Sequence, residues 1–208
     1  MPPLVLVTDR HTAGGRDLVA LVTAALDAGL PAVQLREKDL PGRPLLALAE
    51  RLRTETARTG ALLLVNDRID VALAAEADGV HLGGGSVPVQ VARRLLPPEA
   101  LVGVSTHAPG EVVAAAGVGA DFVFFGPVYA TPAKAGAPQG EGRLREAAAA
   151  AAIPVLAIGG ITAERVEGVR AAGAAGVAVI RAILEAPDPG AATRALLAAL
   201  DLAGGRHR

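Results

Sequence analysis

Eight short apolar runs in this 208-residue sequence alternate with Ala- and Leu-rich segments at helical spacing. Most runs are rich in branched aliphatic residues, and each is followed by glycine or polar residues, a pattern typical of parallel strands joined by helices. The predicted strands cover residues 4–8, 32–36, 61–66, 79–82, 101–105, 122–126, 154–158 and 176–180. The predicted helices cover residues 17–28, 44–58, 68–75, 88–96, 109–116, 141–151, 162–172 and 191–202.

Eight near-equal strand–helix units predict an α/β fold, a single (β/α)₈ barrel, over residues 1–203, with a disordered tail at 204–208. An open doubly wound sheet typically uses fewer strands, and one that binds a dinucleotide carries G-x-G-x-x-G after its first strand. Here the first strand is followed by Asp9, Arg10 and His11. We therefore favour the barrel.

Composition narrows the function classes. The formal net charge is -1, so no basic excess indicates nucleic-acid binding. There is no cysteine for a disulfide or a thiolate site. The first residues lack the charged and longer apolar regions of a signal peptide, and no apolar run approaches a membrane span. We expect a cytoplasmic protein with no membrane partner, and the sequence allows a homo-oligomer.

Active sites of such barrels lie at the C-terminal ends of the strands, so the residues there are the candidates. Gln34, Arg36 and Lys38 alternate along the second strand and are predicted to face the barrel mouth. A guanidinium and an ammonium together suit a diphosphate, while Gln34 suits a ring amine or nitrogen. The alternative is that both cations pair with Glu37, Asp39 or helix carboxylates at the rim.

Two further strand ends carry candidates with two interpretations each. Asp67 follows Asn66 at the end of the third strand and is either a ligand for Mg²⁺ or the N-cap of the next helix. His107 follows the fifth strand and is either a general acid/base or a helix cap. His81 lies within the fourth strand and is more typical of a core or rim residue than of a ligand.

The later strand ends indicate a phosphate site. Gly159 and Gly160 leave backbone N–H groups able to approach a phosphate after the seventh strand, and Arg181 follows the eighth. Glycines here also suit a tight turn alone. The loop 127–140 is predicted to be a lid that brings Lys134 to an anion, or else a surface loop with a solvated lysine.

The motifs at these positions resemble, in order and over nearly the whole chain, the thiamin phosphate synthase family, which also contains thiazole tautomerases. They are VQLREK at 33–38, VNDRID at 65–70, ADGVHLG at 77–83, GVSTH at 103–107, FGPV at 125–128, AIGGI at 157–161 and GVAVI at 176–180. The synthase joins hydroxymethylpyrimidine diphosphate to thiazole phosphate and releases pyrophosphate.

The resemblance implies a role for each matching residue. The pyrimidine diphosphate would be held by Gln34, Leu35, Arg36, Glu37, Lys38, Asn66, Ser105 and Lys134. The thiazole phosphate would be surrounded by Thr131, Gly160, Ile180 and Arg181, and Asp67 would hold Mg²⁺. Arg36, Lys38 and Lys134 would stabilise the departing pyrophosphate as catalytic residues.

Three positions depart from the family pattern. Ser86 stands where the pattern has a second metal-binding Asp, Ala133 replaces a Thr, and Arg181 replaces a Ser. The leading hypothesis is a Mg²⁺-dependent synthase. The alternatives are a thiazole tautomerase that uses His107, a catalytically silent barrel that binds thiamin intermediates or a protein partner, and another phosphate-binding barrel such as a sugar-phosphate isomerase.

Overall fold

Eight parallel strands form one closed barrel in the structure, a computed structural model that describes residues 1–131 and 137–205. The strands are β1 (Leu4–Val7), β2 (Ala32–Leu35), β3 (Leu62–Asn66), β4 (Gly79–Leu82), β5 (Leu101–Thr106), β6 (Phe122–Phe125), β7 (Val155–Ile158) and β8 (Gly176–Val179). Each strand pairs with the next in sequence, and β8 closes the ring on β1, with Leu4 opposite Val177. The predicted barrel is confirmed.

Helices follow the strands around the outside. They are α1 (Leu18–Asp27), α2 (Gly42–Thr59), α3 (Ile69–Ala74), α4 (Val89–Leu95), α5 (Pro109–Gly117), α6 (Gly140–Ala150), α7 (Val166–Ala171), α8 (Arg181–Leu184) and α9 (Pro189–Gly205), and a 3₁₀ turn (Ala163–Arg165) precedes α7. The short helix α8 was not predicted. Of the predicted tail, residues 204–205 end α9 and residues 206–208 lie outside the described part.

Local signals in the sequence place several helix ends. The Asp17 carboxylate accepts a hydrogen bond from the Val19 N–H at 2.9 Å and caps α1. Gly60 ends α2 with a φ of 73°, a left-handed conformation that glycine adopts without steric cost. Among the described residues, no helix combines the length and the apolar character needed to cross a membrane.

Two apolar layers hold the barrel together. The larger layer lies between strands and helices, and the smaller fills the barrel interior. The interior residues come from alternate strand positions: Val5, Val7, Ala32, Leu64, Phe122, Phe124, Leu156 and Ala178. Gly103 also lies at such a position, where an added Cβ would fall 2.1 Å from the Phe122 ring. A glycine is therefore required there for Phe122 to fill the interior.

The second strand ends one residue earlier than predicted. The Arg36 N–H donates to the Thr8 side-chain oxygen at 2.9 Å, and β2 stops at Leu35. Strand alternation therefore places Gln34 inside the barrel, but it does not extend to Lys38, which lies in the turn that follows.

Candidate functional site

Polar side chains cap the barrel interior at the C-terminal ends of neighbouring strands. Gln34 comes two residues after the interior Ala32, and Asn66 comes two residues after the interior Leu64. His81 and Ser105 lie next to them on β4 and β5, with Asn66 opposite His81 in the strand register. Because side chains alternate across a strand, the interior packing itself directs these four groups toward the mouth.

A chain of amide hydrogen bonds links β2 to β3 at this level. Gln34 Nε2 donates to Asn66 Oδ1 at 2.9 Å, and Asn66 Nδ2 donates to Asp67 Oδ2 at 2.7 Å. Gln34 is only 1% exposed, yet its Oε1 has no hydrogen-bond partner among the described residues. A buried acceptor without a partner is costly, so a ligand that donates a hydrogen bond here would be stabilised.

The Asp67 carboxylate faces the β4–α4 loop rather than the helix that follows it. Its Oδ1 accepts from the Gly83 N–H at 3.0 Å and from the Ser86 hydroxyl. The N-cap of α3 is Arg68, which makes no side-chain capping bond. Asp67 itself has a φ of 61°. The helix-cap interpretation of Asp67 is therefore wrong, and its backbone is held in a conformation uncommon for a residue with a side chain.

The hydrogen bonds that Asp67 accepts limit how its carboxylate can bind a cation. Burial raises the pKa of Asp67, but hydrogen bonds from Ser86 and Gly83, the charge of Lys38 and the bond from Asn66 together hold it below its ordinary value. Two donors occupy Oδ1 and one occupies Oδ2, so one Oδ2 lone pair remains for a metal. No group of three or more His, Cys, Asp or Glu in the described part of the chain forms a metal cluster.

The Asp67 carboxylate suits a Mg²⁺ ion that is also bound by a substrate. Among the described residues, it is not part of a metal site made of protein ligands alone. Mg²⁺ retains several waters and is usually held by one or two carboxylates together with substrate phosphates. Asp67 supplies one carboxylate, and the neighbouring cations Arg36 and Lys38 suit the phosphates that would complete the shell.

Arg36 and Lys38 do not pair with the rim carboxylates. Arg10, on the β1–α1 loop, forms ion pairs with both Glu37 and Asp39 instead. Its backbone N–H and its Nη1 each lie 3.1 Å from a Glu37 carboxylate oxygen. Neither Arg36 nor Lys38 forms an ion pair with a described carboxylate within 4 Å. The pairing alternative is therefore wrong for Glu37 and Asp39.

Glu37 differs from the two cations beside it. Its carboxylate is 1% exposed and is occupied by Arg10, whereas Arg36 is half-buried and Lys38 is exposed. Leu35 is buried in the layer between strands and helices. The structure thus places Gln34, Arg36 and Lys38 where polar side-chain atoms are available to a ligand.

His81 is a neutral interior residue. It stacks on Phe124 with 4.2 Å between ring centroids, and its Nε2 lies 2.9 Å from the Ser105 hydroxyl oxygen. Burial, with a smaller contribution from Arg36, outweighs the charge of Asp67 and lowers the pKa of His81 to about 3. His81 thus matches the core interpretation, and it holds the Ser105 hydroxyl in place.

His107 lies at the rim and its ring does not cap α5. The N-cap of that helix is Ala108, which makes no side-chain capping bond. His107 Nδ1 lies 2.5 Å from the Gly126 carbonyl oxygen, and because a carbonyl can only accept, Nδ1 carries the proton. The backbone N–H of His107 donates to the Glu111 carboxylate at 2.6 Å. The side-chain cap interpretation is therefore wrong.

Backbone groups form the opposite side of the mouth. Gly160 has a φ of 65°, and no described residue accepts a hydrogen bond from the N–H of Gly160 or Ile161. Ile180 is half-buried at the end of β8, directly before Arg181, whose Nε lies 3.6 Å from a Glu185 carboxylate oxygen. Available N–H groups at a glycine turn suit a phosphate.

The remaining predicted residues lie in the β6–α6 loop. Thr131 is half-buried and is the last residue described before the gap at 132–136. Lys134 and Ala133 lie outside the described residues. The base of the loop is described on both sides, and there the Gly140 N–H donates to the Val128 carbonyl at 2.9 Å.

The sequence and the barrel both have counterparts in known proteins. The profile of the family described as thiamine monophosphate synthase matches residues 4–183. The chain belongs to this family. A putative thiamine-phosphate synthase from Geobacter sulfurreducens is 56% identical over 199 residues, covering 95% of this chain and 93% of that protein. A thiamine-phosphate synthase from Roseiflexus castenholzii is 49% identical over 193 residues, covering 92% and 85%.

A solved structure gives the same result for the fold. The thiamine phosphate pyrophosphorylase from Pyrococcus furiosus superposes with a TM-score of 0.88 at 36% identity, covering 96% of each chain. A 3-hexulose-6-phosphate synthase also superposes, with a TM-score of 0.68 at 20% identity, which shows only that the fold is shared.

Two features of this member of the thiamine monophosphate synthase family were not predicted from its sequence. One is the direct bond from Ser86 to Asp67, and the other is the tie between Arg10 and Glu37. From the sequence alone, Ser86 indicates only a missing carboxylate. Arg10 lay at a strand end and was available as a signal, but nothing in its local sequence indicates a partner 27 residues away.

Proposed function

We propose that this chain is a thiamin phosphate synthase, which condenses hydroxymethylpyrimidine diphosphate with thiazole phosphate to thiamin phosphate and pyrophosphate. The observation that carries the proposal is the polar row at the mouth, where the unpartnered Gln34 Oε1 leads through Asn66 to the Asp67 carboxylate. Curated relatives 45–56% identical over nearly the whole chain carry the synthase name, which supports this activity over the alternatives.

The reaction exchanges one bond at the methylene carbon of the pyrimidine. The carbon–oxygen bond to the diphosphate breaks, its electron pair leaves with pyrophosphate, and the thiazole nitrogen forms the new bond to carbon. Such a step needs stabilisation of the leaving group and correct placement of the two substrates, and it needs no protein nucleophile.

The described residues divide these tasks between them. Gln34 Oε1 accepts from the ring amine and orients the pyrimidine, with Asn66 holding the Gln34 amide in place. Arg36 and Lys38, together with Lys134 beyond the described part, balance the charge that builds up on the leaving pyrophosphate. The backbone N–H groups of Gly160 and Ile161 and the Arg181 side chain bind the thiazole phosphate.

Mg²⁺ is the cofactor in this proposal. Asp67 would hold it, and the bound ion would supply further positive charge to the pyrophosphate. The proposal also includes a cytoplasmic location and small phosphorylated molecules as the only ligands.

The direct test is to incubate the purified chain with both substrates and Mg²⁺ and to measure pyrophosphate release and thiamin phosphate formation. We expect both products in equal amounts. Asp67→Asn should lower kcat at least 100-fold, because the neutral amide removes the single carboxylate from the metal position.

Asp70→Asn is the matched control for this change. Asp70 lies three residues away on the exposed start of α3, where it pairs with Arg68. The control should keep kcat within twofold. Pyrophosphate release by the wild-type chain no faster than in buffer would refute the proposed function.

The tautomerase hypothesis makes the opposite prediction for two side chains. Proton transfer by His107 would be abolished in His107→Asn and left intact in Asp67→Asn. In the synthase proposal, His107 lies at the rim and is bonded to the Gly126 carbonyl. We therefore expect His107→Asn to retain most of its synthase activity.

A further inference from the structure

Three side chains behind the phosphate side of the mouth form one connected cluster. The Tyr129 hydroxyl donates to Glu141 Oε1 at 2.6 Å, and the Arg165 guanidinium lies over the Tyr129 ring, 4.6 Å from its centroid. Arg165 Nη1 also donates to the Gly160 carbonyl at 2.6 Å. The cluster joins the base of the β6–α6 loop, the first turn of α6 and the turn after β7.

The backbone in this cluster is packed too closely for independent movement of its parts. The Tyr129 N–H donates to the Gly159 carbonyl at 3.0 Å. A Cβ added to Gly160 would lie 2.7 Å from the Ala130 carbonyl oxygen and 2.9 Å from the Tyr129 Cβ. The turn at Gly159–Gly160 and residues 128–130 therefore behave as one rigid unit, with Arg165 attached to its outer side.

The contact to Gly160 fixes the direction of one particular N–H group. The Gly160 carbonyl and the Ile161 N–H belong to the same planar trans peptide and point in opposite directions. Arg165 holds the carbonyl on the exposed side, and no described residue accepts from the Ile161 N–H on the other side. Glycine at 160 permits a rotation of this peptide that the Arg165 bond opposes.

We propose that Arg165 is a positioning residue for the phosphomonoester substrate, because it locks the Gly160–Ile161 peptide with its N–H turned toward the barrel mouth. The Tyr129 ring packs against the Arg165 guanidinium, and Glu141 accepts a hydrogen bond from the Tyr129 hydroxyl. Burial and the Glu141 bond raise the pKa of Tyr129 to about 12, so its hydroxyl remains a donor near neutral pH. The inference rests on the proposed function for the identity of the substrate, thiazole phosphate.

The kinetic test uses Arg165→Ala in the full-length chain. We expect the KM for thiazole phosphate to rise about tenfold, a change of the size of one hydrogen bond. The KM for the pyrimidine diphosphate should stay within twofold, because its site lies at β2 and β3. Arg165→Lys should recover most of the loss, since the ammonium can still donate to the Gly160 carbonyl.

Arg143→Ala is the matched control, because it removes an exposed arginine on α6. It should leave both KM values unchanged. Equal rises in both KM values for Arg165→Ala, or no rise in either, would overturn the inference.

A second measurement does not depend on turnover. Titrating ¹⁵N-labelled protein with inorganic phosphate should shift the amide signals of Gly160 and Ile161, and Arg165→Ala should need about tenfold more phosphate for the same shift. Amide signals that do not move in the wild type, or that move at the same phosphate concentration in the variant, contradict the positioning role. Absence of turnover with a normal amide response would instead count against the proposed function alone.

Discussion

Ser86 is the position where one substitution should change how a cation binds. Its hydroxyl donates to Asp67 Oδ1 and accepts from the Gly83 N–H at 2.6 Å. Ser86→Asp places a second carboxylate in contact with the first. We expect the wild-type chain to bind a divalent cation weakly unless a diphosphate is present, and the variant to bind one without it.

The magnitude follows from the charges. Two unit charges 4 Å apart interact by about 1 kcal/mol in water and about 4 kcal/mol near a protein surface, so an added carboxylate attracts a divalent cation by about 2–8 kcal/mol. Repulsion between the two carboxylates offsets about half of this, and the lost Ser86 bond costs about 1 kcal/mol more. Between 0 and about 3 kcal/mol remains, and the middle of this range, about 1.5 kcal/mol, is roughly a tenfold gain in affinity.

The assay is a titration of the protein with Mn²⁺, with free Mn²⁺ measured by electron paramagnetic resonance and no substrate present. Repeating it with inorganic pyrophosphate tests the shared-ligand arrangement, in which the wild-type affinity should approach that of the variant. Gly85→Asp is the matched control, because it adds the same charge to the same loop at a position where an added Cβ meets nothing within 4 Å.

Two outcomes would refute this reasoning. Equal tightening in Ser86→Asp and Gly85→Asp would show that net charge, not contact with Asp67, sets the affinity. Tight Mn²⁺ binding by the wild-type chain without pyrophosphate would show that one carboxylate already suffices.

Two other substitutions test the support of the site. Glu37→Gln should raise the KM for the pyrimidine diphosphate several-fold and lower the free energy of unfolding by about 1–3 kcal/mol, because it weakens the tie to Arg10 that holds the β2–α2 turn; unchanged kinetics and urea denaturation would contradict this. The pKa of His81 is about 3 in the folded chain against an ordinary 6.5, so its contribution is present above pH 6.5 and lost as the pH falls toward 3. When the pH falls from 7 to 5, the free energy of unfolding of His81→Asn should therefore drop by about 2 kcal/mol less than that of the wild type. Equal drops in the two proteins, measured by urea titration, would refute this prediction.

The fold was predictable because its signal is repeated. Each apolar run is short, and a single misjudged run leaves seven others to indicate the barrel. The predicted strand ends were wrong where a side chain replaced a hydrogen bond between strands. One example is β2, which ends at Leu35 because the Thr8 hydroxyl oxygen accepts the hydrogen bond from the Arg36 N–H. Helix α8 was missed because its four residues, Arg181–Leu184, are too few to show helical periodicity.

The candidate site was predictable only as far as strand ends define it. Gln34 and Asn66 follow from strand alternation, since the same periodicity that fills the interior also orients them. The direction of the Asp67 carboxylate did not follow, because it depends on Gly83 and Ser86 across the gap between two strands. A sequence shows that a carboxylate is present at a strand end, but not which neighbours donate to it.

The two sides of the mouth present different kinds of group, which explains why the sequence predicts only part of the site. On the proposed diphosphate side the available groups are the side chains of Gln34, Arg36, Lys38 and Asp67, and residue type alone indicates their chemistry. On the proposed phosphate side two of the available groups are backbone N–H groups of Gly160 and Ile161, whose direction depends on the side chain of Arg165, five residues after Gly160. Substitution at Ser86 should therefore alter only the proposed diphosphate side, while Arg165 acts on the other side through the backbone. A change in the proposed metal dependence would then leave the proposed phosphate site intact.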